Sequence, residues 1–148
     1  MTTQRQVKIF FRLSQDEDGY PPVAVESVWA NATGENDFII DNIPFFATEA
    51  TLDDVVSADA DDEGCLWFSA TKACSGHSLL RVVLFERARL TELRQQLRDL
   101  GCVSEWSGVH NVLAINVPET VALAAIQAHL HEKSLLGWLD YEEPILRQ

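Results

Sequence analysis

Apolar and polar positions alternate from the start of the chain: Val7, Ile9, Phe11 and Leu13 are interleaved with Lys8, Phe10 and Arg12. A two-residue period marks a strand with one face against a core. Residues 23–30 (VAVESVWA) follow the same rule after the turn signal Gly19-Tyr20-Pro21-Pro22. Val23, Val25, Ser27 and Trp29 share one face there, Ala24, Glu26 and Val28 the other, and Trp29 is expected in the core. A third strand is predicted over 38–43, ended by Pro44, which has no N–H for a ladder. Two more are predicted near 53–59 and 65–73, joined by the polar turn Ala60-Asp61-Asp62-Glu63-Gly64. Five short strands with frequent turns predict a small twisted sheet or barrel.

The character changes after Gly76. Residues 79–86 (LLRVVLFE) read as a strongly apolar strand. Leu90, Leu93, Leu97 and Leu100 recur at helical spacing, which predicts a helix over 88–100 with these four on its buried face and Gly101 as its C-terminal cap. Strands are predicted over 103–107 and 110–117, joined at Ser107-Gly108-Val109. Asn116 is predicted to cap a second helix, with Pro118 in its first turn. That helix would bury Val121, Ala124, Ala125 and Ala128 and end before Gly137, leaving residues 138–146 for a last strand. Strand, helix, strand, strand, helix, strand is the order of a ferredoxin-like unit. The expected fold class is α+β, a β-rich sheet or barrel (residues 1–76) packed on a ferredoxin-like βαββαβ half (residues 77–148), with one shared core left open.

Four strings within this pattern carry a resemblance. They are Val25-Glu26-Ser27-Val28-Trp29-Ala30, Asp41-Asn42-Ile43-Pro44-Phe45-Phe46, Leu52-Asp53-Asp54-Val55-Val56 and Ser75-Gly76-His77-Ser78-Leu79-Leu80-Arg81. In order and spacing over residues 6–145 the chain resembles an uncharacterised bacterial family, domain of unknown function 4265. The Asn-Ile-Pro-Phe string is the most specific piece. The resemblance implies a bacterial cytosolic protein and transfers no activity, cofactor or catalytic residue.

Composition narrows the function classes. With 148 residues, 47% hydrophobic and 23% charged, the chain is an ordinary globular sequence. Its 11 basic and 23 acidic residues leave a net charge of -12, which argues against direct nucleic-acid binding. The excess is one-sided: from Leu13 to Thr71 there are 14 acidic residues and no basic one. No apolar run approaches the roughly 20 residues of a membrane span. The opening Met1 to Gln6 has no apolar signal core, so a cytoplasmic location is expected. Cys65, Cys74 and Cys102 form no CxxC pair and are an odd count. They are expected to be buried small hydrophobes, with no disulfide framework or zinc site. Asn31-Ala32-Thr33 is read as a chance glycosylation sequon.

The candidate chemistry is sparse. Asp59-Ala60-Asp61-Asp62-Glu63-Gly64 imitates the start of a calcium loop, but Ala70 stands where the bidentate Glu belongs, so an exposed hairpin turn is expected. Cys74-Ser75-Gly76-His77-Ser78 holds nucleophile and imidazole types without a nucleophile elbow, and His77 is expected to order a turn. His129 and His131, two apart on a helix, cannot chelate one metal together and read as surface residues. Glu26 is expected as a buried polar anchor bonding Arg81 or His77, with a general acid/base pairing to Asp41 or Asp54 as the alternative. Asn42-Ile43-Pro44-Phe45-Phe46 reads as a rigid corner that plugs the core, or as an exposed aromatic patch. Arg87, Arg94 and Arg98 fall near one helical stripe, placed to pair with acids of the first half or of a second copy.

The function these observations favour is a non-catalytic acidic binding protein for a basic protein partner, such as a toxin immunity protein or inhibitor. The expected partner surface is Asp41, Asp53, Asp54, Asp59, Asp61, Asp62 and Glu63 with Phe45 and Phe46. The alternatives are a small-ligand sensor whose cleft between the halves holds Glu26, Trp29, Asn42, His77 and Arg81, or an unrecognised enzyme. No cofactor, metal or catalytic residue is expected, and a homo-oligomer is left open.

Overall fold

The computed structural model describes residues 5–148. The reading of Met1 to Gln4 as free of a secretory signal falls outside the described residues. The chain divides after Ser75 into two compact units.

The first unit is a closed barrel of five strands: β1 (Arg5–Arg12), β2 (Val25–Gly34), β3 (Asp37–Ile40), β4 (Val55–Ala60) and β5 (Leu66–Ala73). Neighbours in sequence pair antiparallel, and a short parallel ladder between β1 and β5 closes the ring through Ile9↔Leu66 and Phe10↔Trp67. Extra residues in β2 (Thr33) and in β5 (Ser69 and Lys72) shift the register and supply the extra bend that closure of so few strands demands. Ile9, Phe11, Val28, Ala30, Phe38, Ile40, Val56 and Ala58 fill the interior, with Phe11 stacked on Phe68 at 4.8 Å. On β2 the inward face is Val28 and Ala30, so Trp29, expected in the core, is 43% exposed. The tight interior takes short side chains from β2 and turns its bulkiest residue out.

The second unit is a four-stranded antiparallel sheet with two helices. It comprises β6 (Ser78–Leu84), α1 (Leu90–Asp99), β7 (Val103–Ser107), β8 (Val112–Val117), α2 (Leu123–Leu135) and β9 (Leu139–Ile145), with strand order β7-β8-β6-β9. A short 3-10 turn, Arg87–Arg89, leads into α1. Leu80, Val82 and Leu84 of β6 and Leu113, Ile115 and Val117 of β8 meet Leu93, Leu97, Leu123, Ile126 and Leu130 in one core, so both helices cover the same sheet face.

Both helices differ in detail from their predicted faces. Leu100 caps α1 and is 41% exposed. The second helix starts at Leu123, because Asn116 lies within β8 and is buried. Its buried face is Leu123, Ile126 and Leu130, while Ala124, Ala125 and Ala128 face solvent. Leucine and isoleucine have more apolar area to gain from burial than alanine, and they set the rotation of the helix. Both helices end in the same way. Gly101 donates to the Arg98 carbonyl (3.0 Å) and Cys102 to the Leu97 carbonyl (2.8 Å), as Gly137 does to Ser134 (3.0 Å) and Trp138 to Lys133 (3.1 Å). These are Schellman closures, with Gly101 at φ +99° and Gly137 at φ +78°.

Of the three thiols only Cys102 is buried; Cys65 is half-buried and Cys74 is exposed. Burial pushes the Cys102 thiol up to about 11. An alkylating reagent at about pH 8 should therefore label Cys74 first and Cys102 only in denaturant, read by mass spectrometry of the digested chain. Gly101→Ala should destabilise the protein by about 1–2 kcal/mol in urea unfolding, because its φ disfavours a side chain. A Cβ there would also stand 2.8 Å from Val121.

Candidate functional site

The β3–β4 connection, residues 41–54, holds most of the predicted site residues, and it is built on its own polar network. Glu26, on the inward side of β2, accepts hydrogen bonds from three consecutive backbone N–H groups. Phe45 N–H lies 2.6 Å from Oε2, and Phe46 and Ala47 N–H lie 3.0 and 2.7 Å from Oε1. Successive amides turned to one anion form a backbone nest. Both carboxylate oxygens are thus engaged within the first unit. Glu26 is a polar anchor whose bonds go to backbone amides of its own unit.

Two more side chains finish the loop. Asn42 Oδ1 accepts from Trp29 N–H at 2.6 Å, while Trp29 carbonyl accepts from Asp41 N–H at 2.8 Å. Asp54 has no exposed surface and accepts from Thr51 N–H (3.0 Å) and Ser75 N–H (2.9 Å). Ile43, Phe46, Ala47 and Ala50 are buried beneath, and Tyr20 meets Phe46 edge-on at 6.3 Å. Asp54 and Phe46, placed by sequence in the partner surface, are therefore loop anchors: Asp54 has no exposure and Phe46 only 7%, too little to form a docking surface. Phe45 is half-buried, and Asp41 and Asp53 are exposed.

The remaining predicted docking residues lie elsewhere. Strands β1 to β5 run up and down, so connections 13–24 and 41–54 leave at one end of the barrel and the β2–β3 and β4–β5 turns at the other. Asp59, Asp61, Asp62 and Glu63, all exposed, thus sit at the opposite end from Asp53 and Phe45. Asp61 organises its turn. Its Oδ1 accepts from Glu63 and Cys65 N–H, both at 2.9 Å, and its Oδ2 accepts from Trp67 Nε1 at 2.9 Å. The Trp67 and Cys65 bonds hold its carboxyl below the usual carboxylate range. Among the described residues no group of three or more His, Cys, Asp or Glu side chains could hold a metal.

In the second unit Arg81 is 4% exposed and faces Glu142 at 3.8 Å. His77 Nδ1 lies 3.4 Å from the Asn116 amide nitrogen. His129 is tied to Gln96 at 2.9 Å, and its pKa is lowered by burial and by Lys133. The arginine stripe serves its own unit. Arg94 donates to Ser104 Oγ and carbonyl at 3.1 and 2.9 Å, Arg98 donates to Gln95 at 3.0 Å, and Arg87 lies over Trp106 at 6.0 Å.

Sequence reasoning missed the outer face of the barrel. Lys8, Phe10 and Arg12 point outward from β1, opposite Trp29, Ser27 and Val25 of β2, and Phe10 is also opposite Trp67 of β5. Lys8 stands 5.0 Å from the Trp29 ring centre and Arg12 3.9 Å from that of Trp67, which also meets Phe10 at 5.6 Å. Arg5, Lys8 and Arg12 make no ion pair among the described residues. The signal was present: the outward positions of the period-2 strand held Lys8 and Arg12, two of the three basic residues before Lys72.

A family model described as Domain of unknown function (DUF4265) matches residues 26–141. Among curated proteins none matches the chain. A solved structure, described as the novel crystal structure of a hypothetical protein from Neisseria gonorrhoeae, is similar to it. The TM-score is 0.79 at 21% identity, over 99% of each chain. At that identity the likeness speaks for the fold alone.

Glu26→Gln should cost about 1.5–3 kcal/mol in urea unfolding, the range for hydrogen bonds to a charged group. It should also speed hydrogen exchange at the Phe45, Phe46 and Ala47 amides. Unchanged protection at these three would contradict the nest.

Proposed function

We propose that this chain, which belongs to the DUF4265 family of domains of unknown function, is a non-catalytic binding protein for a basic protein partner, in the manner of an inhibitor or toxin immunity protein. The observation that carries the reading is the β4–β5 turn. Asp59, Asp61, Asp62 and Glu63 are exposed together there, and among the described residues no lysine or arginine pairs with them. Carboxylates grouped on one protruding turn attract a cationic surface and raise its rate of encounter, and salt screens the gain.

With Asp54 and Phe46 buried and Asp41, Asp53 and Phe45 at the other end of the barrel, the reading takes this turn as the docking region. The reading also takes the second unit as a ferredoxin-like module, supported by its strand order and by two helices on one sheet face. It places the protein in the cytoplasm. No helix among the described residues is long and apolar enough to cross a membrane.

At low salt the immobilised chain should retain cationic proteins that about 0.5 M salt releases. Replacing Asp59→Asn, Asp62→Asn and Glu63→Gln together should slow association of the retained protein several-fold, measured by surface binding kinetics. An unchanged association rate in this variant overturns the reading.

A further inference from the structure

We propose that the barrel carries a binding site for a small organic anion, a carboxylate, sulfonate or phosphate on an apolar or aromatic body, in the cleft beside the N-terminal half of β1. The parallel ladder that closes the barrel pairs only Ile9 with Leu66 and Phe10 with Trp67. Strand β5 begins opposite Ile9, so β1 from Arg5 to Lys8 has no β5 partner beside it. A cleft of about 430 Å³ opens at this seam, lined by Arg5, Val7, Lys8 and Phe10 on one side and by Glu63 to Leu66 on the other. That volume is within the range of small-molecule pockets.

The lining selects the ligand. Arg5 and Lys8 stand on the β1 side and pair with no carboxylate among the described residues, although their unit is strongly acidic. A cation left without an ion pair in an acidic unit is available to an external anion, and a concave wall of low dielectric strengthens the attraction. Val7, Phe10 and Leu66 supply the apolar surface between the two sides. Glu63 on the far rim fixes the orientation: the anionic group lies toward β1 and the apolar body over Phe10 and Leu66. A ligand bearing several anionic groups is disfavoured by the same carboxylate. Glu63 is shared with the protein-docking turn, so the test of this site changes Arg5 and Lys8 alone and leaves that turn intact.

The probe is 8-anilinonaphthalene-1-sulfonate, an aromatic sulfonate whose fluorescence rises on leaving water. Titrated into the folded chain, it should show a single saturable site. Arg5→Gln with Lys8→Gln should weaken binding by about tenfold or more, whereas Arg5→Lys with Lys8→Arg should retain it. N-phenyl-1-naphthylamine, which keeps the rings and lacks the sulfonate, should not saturate. Thermal melts of each variant establish that the barrel is intact, as both side chains are exposed. The proposal is overturned if no saturable site is found. It is equally overturned if the glutamine pair binds as tightly as the parent chain, or if the neutral dye binds as well as the sulfonate.

Discussion

One carboxylate, that of Glu26, meeting three consecutive amides holds the long β3–β4 connection against the first unit. A connection that runs beneath a small barrel must bury backbone N–H groups, and a buried N–H without a partner is costly. Residues 45–47 lie outside the strands, and a side chain serves their amides. At one end of the connection Asp54 satisfies the Thr51 and Ser75 amides, and at the other Asn42 ties the chain to Trp29 N–H of β2. With these amides satisfied, Ile43, Phe46, Ala47 and Ala50 can be buried, and the barrel gains apolar contents that its short strands alone do not supply.

This constraint changes how the charge should be read. A carboxylate inside a backbone network contributes to folding and is withdrawn from the surface. Glu26 and Asp54 belong to that class. Asp37 is paired with Lys72, and Asp16 accepts from Asp18 and Tyr20 N–H in its own loop. The half-burial of Glu26, the burial of Asp54 and the pairing of Asp37 make the acidic surface smaller than the residue count suggests, while Asp16 stays exposed, and that surface is split between two ends of a barrel. The basic residues show the converse. Lys8 and Arg12 lie over tryptophan rings on one outer face, where cation–π contact holds them without cancelling their charge.

The second unit rests on a different economy. Its helices are short and held by large apolar side chains and by glycine closures at both C-termini. Arginines that resembled a binding stripe fasten α1 to β7 and to its own turn.

Much of the architecture was legible in the pattern of residues. Period-2 runs located the strands, the leucine spacing located α1, and Gly101 and Gly137 marked the helix ends, because these features depend on neighbours within a few positions. Asn42-Ile43-Pro44-Phe45-Phe46 could be read as a corner for the same reason. Which face of β2 turns inward could not be read, since Val25, Ser27 and Trp29 are as plausible inside as Val28 and Ala30 until the width of the barrel is known. Nor could the partner of Glu26, which lies 19 to 21 residues away along the chain. Local periodicity records what each residue prefers. Closure of the ring determines which distant groups meet, and that meeting turned Asp54, a predicted surface acid, into a loop anchor and left Lys8 and Arg12 facing outward.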